Sequence, residues 1–287
     1  MEGRTFFNSL NKEYKGIIPV EIPKRVDLIA EEFTKNEEKI EFVKLDREEA
    51  KNGLLKVHSN SFLNKVLSLS EEETMLGDNN FEKSLPDVAF NAISTTLKAA
   101  EKQGFAIVRP PGHHAHREKF AGFCYFNNIA IALMPFIENK RKVAVIDLDA
   151  HYGDGTHDIL SEYGNCFYAS IHADTSSYYP FTQISSKNSK LINVNPNLED
   201  DNNYIKHVKE LAEEVKKFNA DILGISIGFD TFSEDGVLGF SIKNVSTYGK
   251  AGEILQNIAP KSFAVLEGGY HDKIGGCALE FYKGLKK

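Results

Sequence analysis

Short β-branched apolar runs alternate along this chain with stretches in which apolar residues recur every three or four positions. The first pattern predicts strands at 39–45, 104–108, 143–146, 167–171, 190–194, 222–227 and 262–266. The second predicts helices at 24–35, where Val26, Ile29, Ala30 and Phe33 share a face, and at 86–102, 127–138, 156–163, 202–218 and 244–258. Pro86 suits the start of its helix, and Pro135 is expected to bend the helix that contains it. Residues 1–23, punctuated by Pro19 and Pro23, read as an irregular lead-in, and 55–59 precedes a short helix. The polar stretch 70–84, with Glu71, Glu72, Glu73 and Gly77-Asp78-Asn79-Asn80, predicts a solvated loop at the rim of a site.

Strands that alternate with helices make right-handed βαβ units. The expected fold is α/β, a mainly parallel sheet with helices on both faces. No repeat or linker divides the chain, so one domain over residues 1–287 is expected. In such sheets ligands bind beyond the carboxyl ends of the strands. Four strands here end in polar or glycine-rich segments: His113-His114, Asp147 to Asp154, Asp230, and Gly268-Gly269-Tyr270. Topology alone therefore gathers these groups at one edge.

The richest of these segments is VAVIDLDAHYGDGTH at 143–157. Residues two apart in an extended chain point the same way, which puts Asp147, Asp149 and His151 on one face. Ionisable groups crowded at a buried strand end are costly without a compensating cation. Asp149, His151 and Asp230 make a three-ligand set that leaves a fourth position open, the layout of a catalytic zinc site. His113 and His114 are acid/base candidates, and Asp147 and Asp154 are natural partners to orient them. Tyr270 offers its O–H to a developing oxyanion. Each residue also has a plain alternative: a His-His pair in a Pro-Gly loop is often structural, and Gly-Gly-Tyr is often a turn.

Composition narrows the field. The hydrophobic fraction of 41% and charged fraction of 26% are those of a globular protein. No apolar run approaches the ~18 residues that span a membrane, and the stretch MEGRTFFNSLNKEYK lacks a signal layout. The three cysteines, Cys124, Cys166 and Cys277, form no CxxC, so a reducing cytoplasm is expected. A net charge of −7 argues against direct nucleic-acid binding.

In order, RPPGHHA, GFCYFNN, VIDLDAHYGDGT, SIH, GFD and LEGGY resemble the histone deacetylase and acetylpolyamine amidohydrolase superfamily, in forms closer to class II and to bacterial or archaeal members. The resemblance is strong from Arg109 onward and loose before it. It implies an arginase/deacetylase-like fold and a Zn²⁺-dependent amidohydrolase, with the metal on Asp149, His151 and Asp230. It implies His113 paired with Asp147 and His114 with Asp154, His114 acting as general base and acid and His113 as an electrostatic helper. Tyr270 would stabilise the tetrahedral intermediate, while Gly122, Phe123 and Tyr179 would line a narrow tunnel. A structural K⁺ near Asp147, Asp149, His151 and Ser170 is also implied. The substrate would be an acetylated protein lysine, an acetylpolyamine or another short-chain amide; Zn²⁺ against Fe²⁺ and the oligomeric state are left open.

Three departures bear on the rim and the turn. Tyr152 stands where the family usually has a second histidine, TFSEDGVLGF replaces an Asp-Pro-Leu-Gly stretch near Val237 and Leu238, and EIPKRV replaces a Tyr-His-Pro-Glu stretch, expected to reshape one edge of the rim. Two rival readings meet obstacles in the sequence. A binuclear ureohydrolase of the arginase type would need bridging carboxylates, but Gly153, Gly228 and Phe232 occupy those positions. A non-enzymatic acyl-lysine binding module would be expected to have lost a ligand, a histidine or the tyrosine, and all are present.

Overall fold

The computed structural model describes residues 3–287, so Met1 and Glu2 of the N-terminal stretch lie outside the described residues. The first half of the chain forms β1 (Thr5–Asn8), α1 (Lys24–Lys35), β2 (Ile40–Val43), α2 (Arg47–Leu54), α3 (Asn60–Glu72), β3 (Met75–Leu76), β4 (Asn79–Asn80), α4 (Leu85–Lys102), β5 (Phe105–Ile107) and α5 (Asn128–Glu138). The second half forms β6 (Val143–Asp147), α6 (Asp154–Ser161), β7 (Cys166–Ala173), β8 (Ser189–Val194), α7 (Asp201–Phe218), β9 (Ile222–Ile227), α8 (Ser246–Leu255), β10 (Lys261–Leu266) and α9 (Ile274–Lys286).

Eight strands make one sheet in the order β2-β1-β5-β10-β9-β6-β7-β8, and every pairing in it is parallel. Alternate side chains point to opposite faces, and each face has its own core. Ala144 and Ile146 of β6 join Phe7, Phe105 and residues of α1, α7, α8 and α9 on one side. Val143 and Val145 join Phe6, Ala106 and residues of α2 to α6 on the other. The α/β expectation, with helices on both faces, is met. Among the described residues no helix is long and apolar enough to cross a membrane.

The sequence reading is corrected in several places. The supposed irregular lead-in contains β1, which lies inside the sheet between β2 and β5. Its residues are buried on both faces, so the run TFFN shows no alternation to read. α2 and α9 were not expected; the glycines of α9 lower helix propensity, and packing against α1 and α8 overrides them. Strand β6 stops at Asp147, so Asp149 and His151 lie in the bend beyond it rather than on the strand face. The polar loop at 70–84 carries a small antiparallel ribbon, β3 with β4.

A buried ionic knot ties the N-terminal segment to the sheet edge. Arg109, just past β5, donates from Nε (2.9 Å) and Nη2 (2.8 Å) to the two carboxylate oxygens of Glu21. Arg25 reaches the same carboxylate from α1 at 3.4 Å. Arg25 also donates from Nε to Gly269 O at 3.0 Å and from Nη2 to Glu267 O. All three charged side chains are buried. Burial alone would raise the Glu21 carboxyl, but Arg109 and Arg25 outweigh it and hold the group below its ordinary value.

This knot yields a stability prediction. Glu21→Ala strands two buried guanidinium groups, and loss of one member of a buried pair costs about 3–5 kcal/mol. Urea unfolding should show that loss as a lower midpoint; a change under about 1 kcal/mol would mean that water or neighbours satisfy both arginines.

Candidate active site

The polar centre sits beyond the carboxyl ends of β5, β6, β9 and β10. Strands β6 and β9 are neighbours, with Asp147 opposite Ser226, so the bends that follow them bring Asp149, His151 and Asp230 together. His151 Nδ1 lies 2.9 Å from Asp230 Oδ2 and 3.2 Å from Asp149 Oδ1. One donor atom from each of the three falls within 4.8 Å of the others. Backbone N–H groups fix the carboxylates: Ala150 donates to Asp230 at 2.9 Å and Gly268 to Asp149 at 2.8 Å. A Cβ on Gly268 would lie 2.7 Å from an oxygen of each aspartate, so glycine is required there.

Electrostatics tests whether these residues suit a cation. Burial, together with the Asp149 charge, pushes Asp230 up to about 7. Burial would raise Asp149 too, but the His113 and His151 rings outweigh it and hold it low. Burial works downward on His151, yet hydrogen bonds with Asp149 and Asp230 carry it up to about 10. Two dry carboxylates competing for one proton are relieved by a divalent cation, and two carboxylates with an imidazole form a donor set such a cation accepts. The residues fit a metal. A second group, His113, Cys124 and Glu267, also has donor atoms within 4.8 Å of one another. It does not fit: burial pushes the Cys124 thiol well up, and Sγ donates to Gly122 O at 3.2 Å. The Glu267 carboxylate already accepts from Gly112 N, His113 N and Ser226 Oγ.

The histidines hang from a loop held by those Glu267 bonds. His113 Nδ1 is 3.1 Å from Asp147 Oδ2, which also accepts the Tyr168 hydroxyl at 2.9 Å. His114 Nδ1 is 2.8 Å from Asp154 Oδ1, and the two histidine rings lie 4.0 Å apart. Burial, reinforced by charge on His113, lowers His114 to about 4. Burial opposes charge on His113 as well, but Asp149 and Asp147 outweigh it and raise the group well above its ordinary value. Charge is thereby favoured on His113 and disfavoured on His114 at the cavity floor, with His114 Nε2 left for the cavity.

The cavity measures about 160 Å³ and is lined by Asp78, Pro111, His113, His114, Gly122, Phe123, Asp149, His151, Tyr179, Val237, Gly268 and Tyr270. Asp147, Asp154 and Asp230 do not line it; they stand behind the groups that do. Gly122 has φ +55°, and a Cβ there would come within 2.3 Å of His114 Cδ2, so the turn at 122–123 closes directly on that ring. Phe123 follows at φ +65°, a strained conformation for a bulky residue, here in the cavity wall. Its ring meets Tyr270 edge-on at 5.8 Å, and Tyr179 meets His114 edge-on at 4.9 Å. The Arg25 guanidinium lies 4.9 Å over the Tyr270 ring. Burial holds the Tyr270 hydroxyl well above its ordinary pKa, so it stays a donor.

Sequence reading missed several supports. No residue of the EIPKRV stretch lines the cavity; Glu21 and Arg25 are buried, where the arginines need that carboxylate. Asp154 is shared, accepting also from His116 Nε2 at 3.0 Å, while His116 Nδ1 is 2.8 Å from Asp158. A third histidine two places after the pair was the available signal. Tyr168 carried none, since a tyrosine in a buried strand reads as core. Asp78 accepts the Gly122 N–H on both oxygens at 3.2 Å, which brings the 70–84 loop to the mouth as expected. Val237 lines the mouth, and Leu238 turns to the core.

The comparisons with known proteins agree with this architecture. The structure of the HDA15 HD domain matches with a TM-score of 0.88 at 24% identity, over 98% of this chain and 90% of that one, which speaks to the fold. Acetylpolyamine amidohydrolase of Burkholderia pseudomallei is 30% identical over 203 residues, 68% of this chain and 59% of that protein. The chain thus matches about three fifths of that relative's length. Histone deacetylase 18 of Arabidopsis thaliana is 29% identical over 302 residues, 92% of this chain and 44% of that protein. The model of the histone deacetylase domain matches residues 19–284, a span that takes in the buried knot at Glu21 as well as every residue of the polar centre, and on that match the chain belongs to the histone deacetylase domain family.

Proposed function

We propose that this chain, as one catalytic unit over residues 1–287, hydrolyses the amide of an acylated amine and releases a short acyl group such as acetate. The observation that carries the reading is a metal-ready trio, His114 paired with Asp154, and the Tyr270 side chain around one cavity of about 160 Å³. Asp149, His151 and Asp230 would hold Zn²⁺, which would polarise the amide carbonyl and bring the pKa of a water to about 7.

The side chains supply the rest. His114 takes a proton from the attacking water at Nε2 while Asp154 holds its Nδ1, and later passes that proton to the departing amine nitrogen. His113, on which Asp149 and Asp147 favour the charged form, offsets negative charge that gathers on the substrate. Tyr270 donates its O–H to the carbonyl oxygen as that atom becomes an oxyanion. Gly122, Phe123 and Tyr179 wall the acylated chain and exclude water. Acetylated protein lysines and acetylpolyamines are the substrate classes that the relatives' names suggest.

A structural K⁺ near Asp147, Asp149, His151 and Ser170 belongs to the same reading; Ser170 is buried opposite Asp147 in the β6–β7 register. So does a reducing cytoplasmic setting, in keeping with three free, buried cysteines.

Three outcomes are expected. Elemental analysis should find one catalytic divalent ion per chain, bound more weakly in acid because its ligands must be deprotonated. Two tightly held catalytic ions would favour a ureohydrolase, and full activity after chelation would remove both readings. His114→Ala should lower kcat by roughly 10²–10⁴ with metal content unchanged; loss of metal would make His114 a ligand instead of a base. Tyr270→Phe keeps the ring and should lower kcat by about 10²–10³ with a smaller effect on KM. Equal turnover of acetyl-lysine and acetylpolyamine substrates by that variant would show the hydroxyl to be a bystander. A parent that binds acylated amines and turns none over would be a binding module.

A further inference from the structure

Tyr270 follows two glycines, and Gly269 has φ +118°, a conformation open to almost no other residue. A side chain at the end of such a hinge is placed only as well as its own backbone is anchored. The anchor comes from the loop after Asp230, in the stretch where this chain departs from the family pattern. Asp235 Oδ2 accepts the Tyr270 N–H at 2.6 Å. Its other oxygen, Oδ1, accepts the N–H of Val237 at 2.8 Å and of Leu238 at 3.4 Å. The side chain is half-buried between the two loops, and Asp235 N donates to Phe232 O at 3.0 Å, which fixes the carboxylate from behind. The same loop closes on the metal-ready trio through Gly239 N, which donates to Asp230 O at 3.0 Å. An exposed pair, Lys273 with Glu234 at 3.5 Å, also bridges the loops, but water and salt screen it.

We propose that Asp235 is a positioning residue for the hydrolysis: one carboxylate fixes the backbone of Tyr270 and the backbone of the mouth residue Val237 to each other. This rests on the reading of Tyr270 as the donor to the oxyanion. Because both oxygens accept N–H groups, asparagine is no substitute: its NH₂ would face a donor on one side, and one of the two loops would come free. A donor displaced by about 1 Å costs rate out of proportion to the change in fold.

The test combines amide exchange with a double-mutant cycle on the intact, metal-loaded chain. Hydrogen–deuterium exchange should show faster uptake at the amides of Tyr270 and Val237 in Asp235→Ala, and at one of the two in Asp235→Asn. Against an acetyl-lysine peptide, Asp235→Ala should lower kcat about tenfold or more, while the same change in a Tyr270→Phe background should lower it less than about twofold. A residue that merely supports the fold would lower kcat by the same factor in both backgrounds, and that result overturns the proposal. Unchanged uptake at Tyr270 overturns it as well. If Asp235→Ala does not fold, Asp235→Asn is carried through the same cycle. If the parent turns over no acylated amine of any class, the hydrolase reading falls, and the exchange data still decide whether the clamp exists.

Discussion

Two carboxylates and an imidazole share a space in which no two like charges rest comfortably, and much of the architecture exists to keep them there. Asp149 and Asp230 are almost wholly withdrawn from water and meet at His151 Nδ1. A chain free to relax would separate them, because two dry like charges repel strongly at such range. Three constraints prevent it. The bends after β6 and β9 leave adjacent strands of one sheet, N–H groups of Ala150 and Gly268 hold the oxygens, and Gly268 has no side chain to prise them apart. A parallel sheet serves this purpose well, since all its strands deliver their exits to the same edge.

From that centre the supports spread outward through further buried groups. The histidine loop is fastened to Glu267, a carboxylate that burial pushes up to about 7 and that three donors stabilise. The carbonyl of the same Glu267 accepts from Arg25, which is tied through Glu21 to Arg109 at the start of the histidine loop. The β5 and β10 exits are thus linked twice, once through the Glu267 carboxylate and once through its carbonyl. By contrast the ion pairs on helix surfaces, such as Lys216 with Glu213, are solvated and contribute little. Buried hydrogen bonds are concentrated around the polar centre, the arrangement that the proposed hydrolysis would need in a preorganised site.

Much of this was legible in the sequence because the signals are local. β-branched runs mark buried strands, and the polar residues just after them mark the ligand edge, so Asp149, His151, Asp230, His113 and His114 could be named without coordinates. What escaped was tertiary in origin. Strand β1 is only TFFN, buried on both faces, and offers no period. Helix α9 is disfavoured by its own glycines and stabilised by its neighbours. Glu21 lies 88 residues before Arg109, whose guanidinium it accepts, and no spacing rule links a lead-in segment to a loop beside the polar centre. Asp235 looked like one acid in a divergent turn; only the fold shows which N–H groups it faces.

The floor and the mouth differ in how firmly they are specified, and this bears on where selectivity in the proposed hydrolysis could change. At the floor each oriented group has a partner that has a partner in turn: His113 with Asp147 and Tyr168, His114 with Asp154 and His116. At the mouth Tyr179, Phe123 and Val237 come from loops, and Asp78 reaches in from the turn between β3 and β4. Loops of this kind tolerate change far better than packed strands. The Asp78 carboxylate, with both oxygens directed to Gly122 N, spends part of its charge in holding that turn against His114. A charge at the mouth therefore also braces the floor, and a substitution at this position would disturb His114, the proposed base, behind it. Val237 carries no such burden in its side chain, since its anchor runs through its backbone N–H. Selectivity that must change while the chemistry stays fixed has more freedom at Val237 than at Asp78.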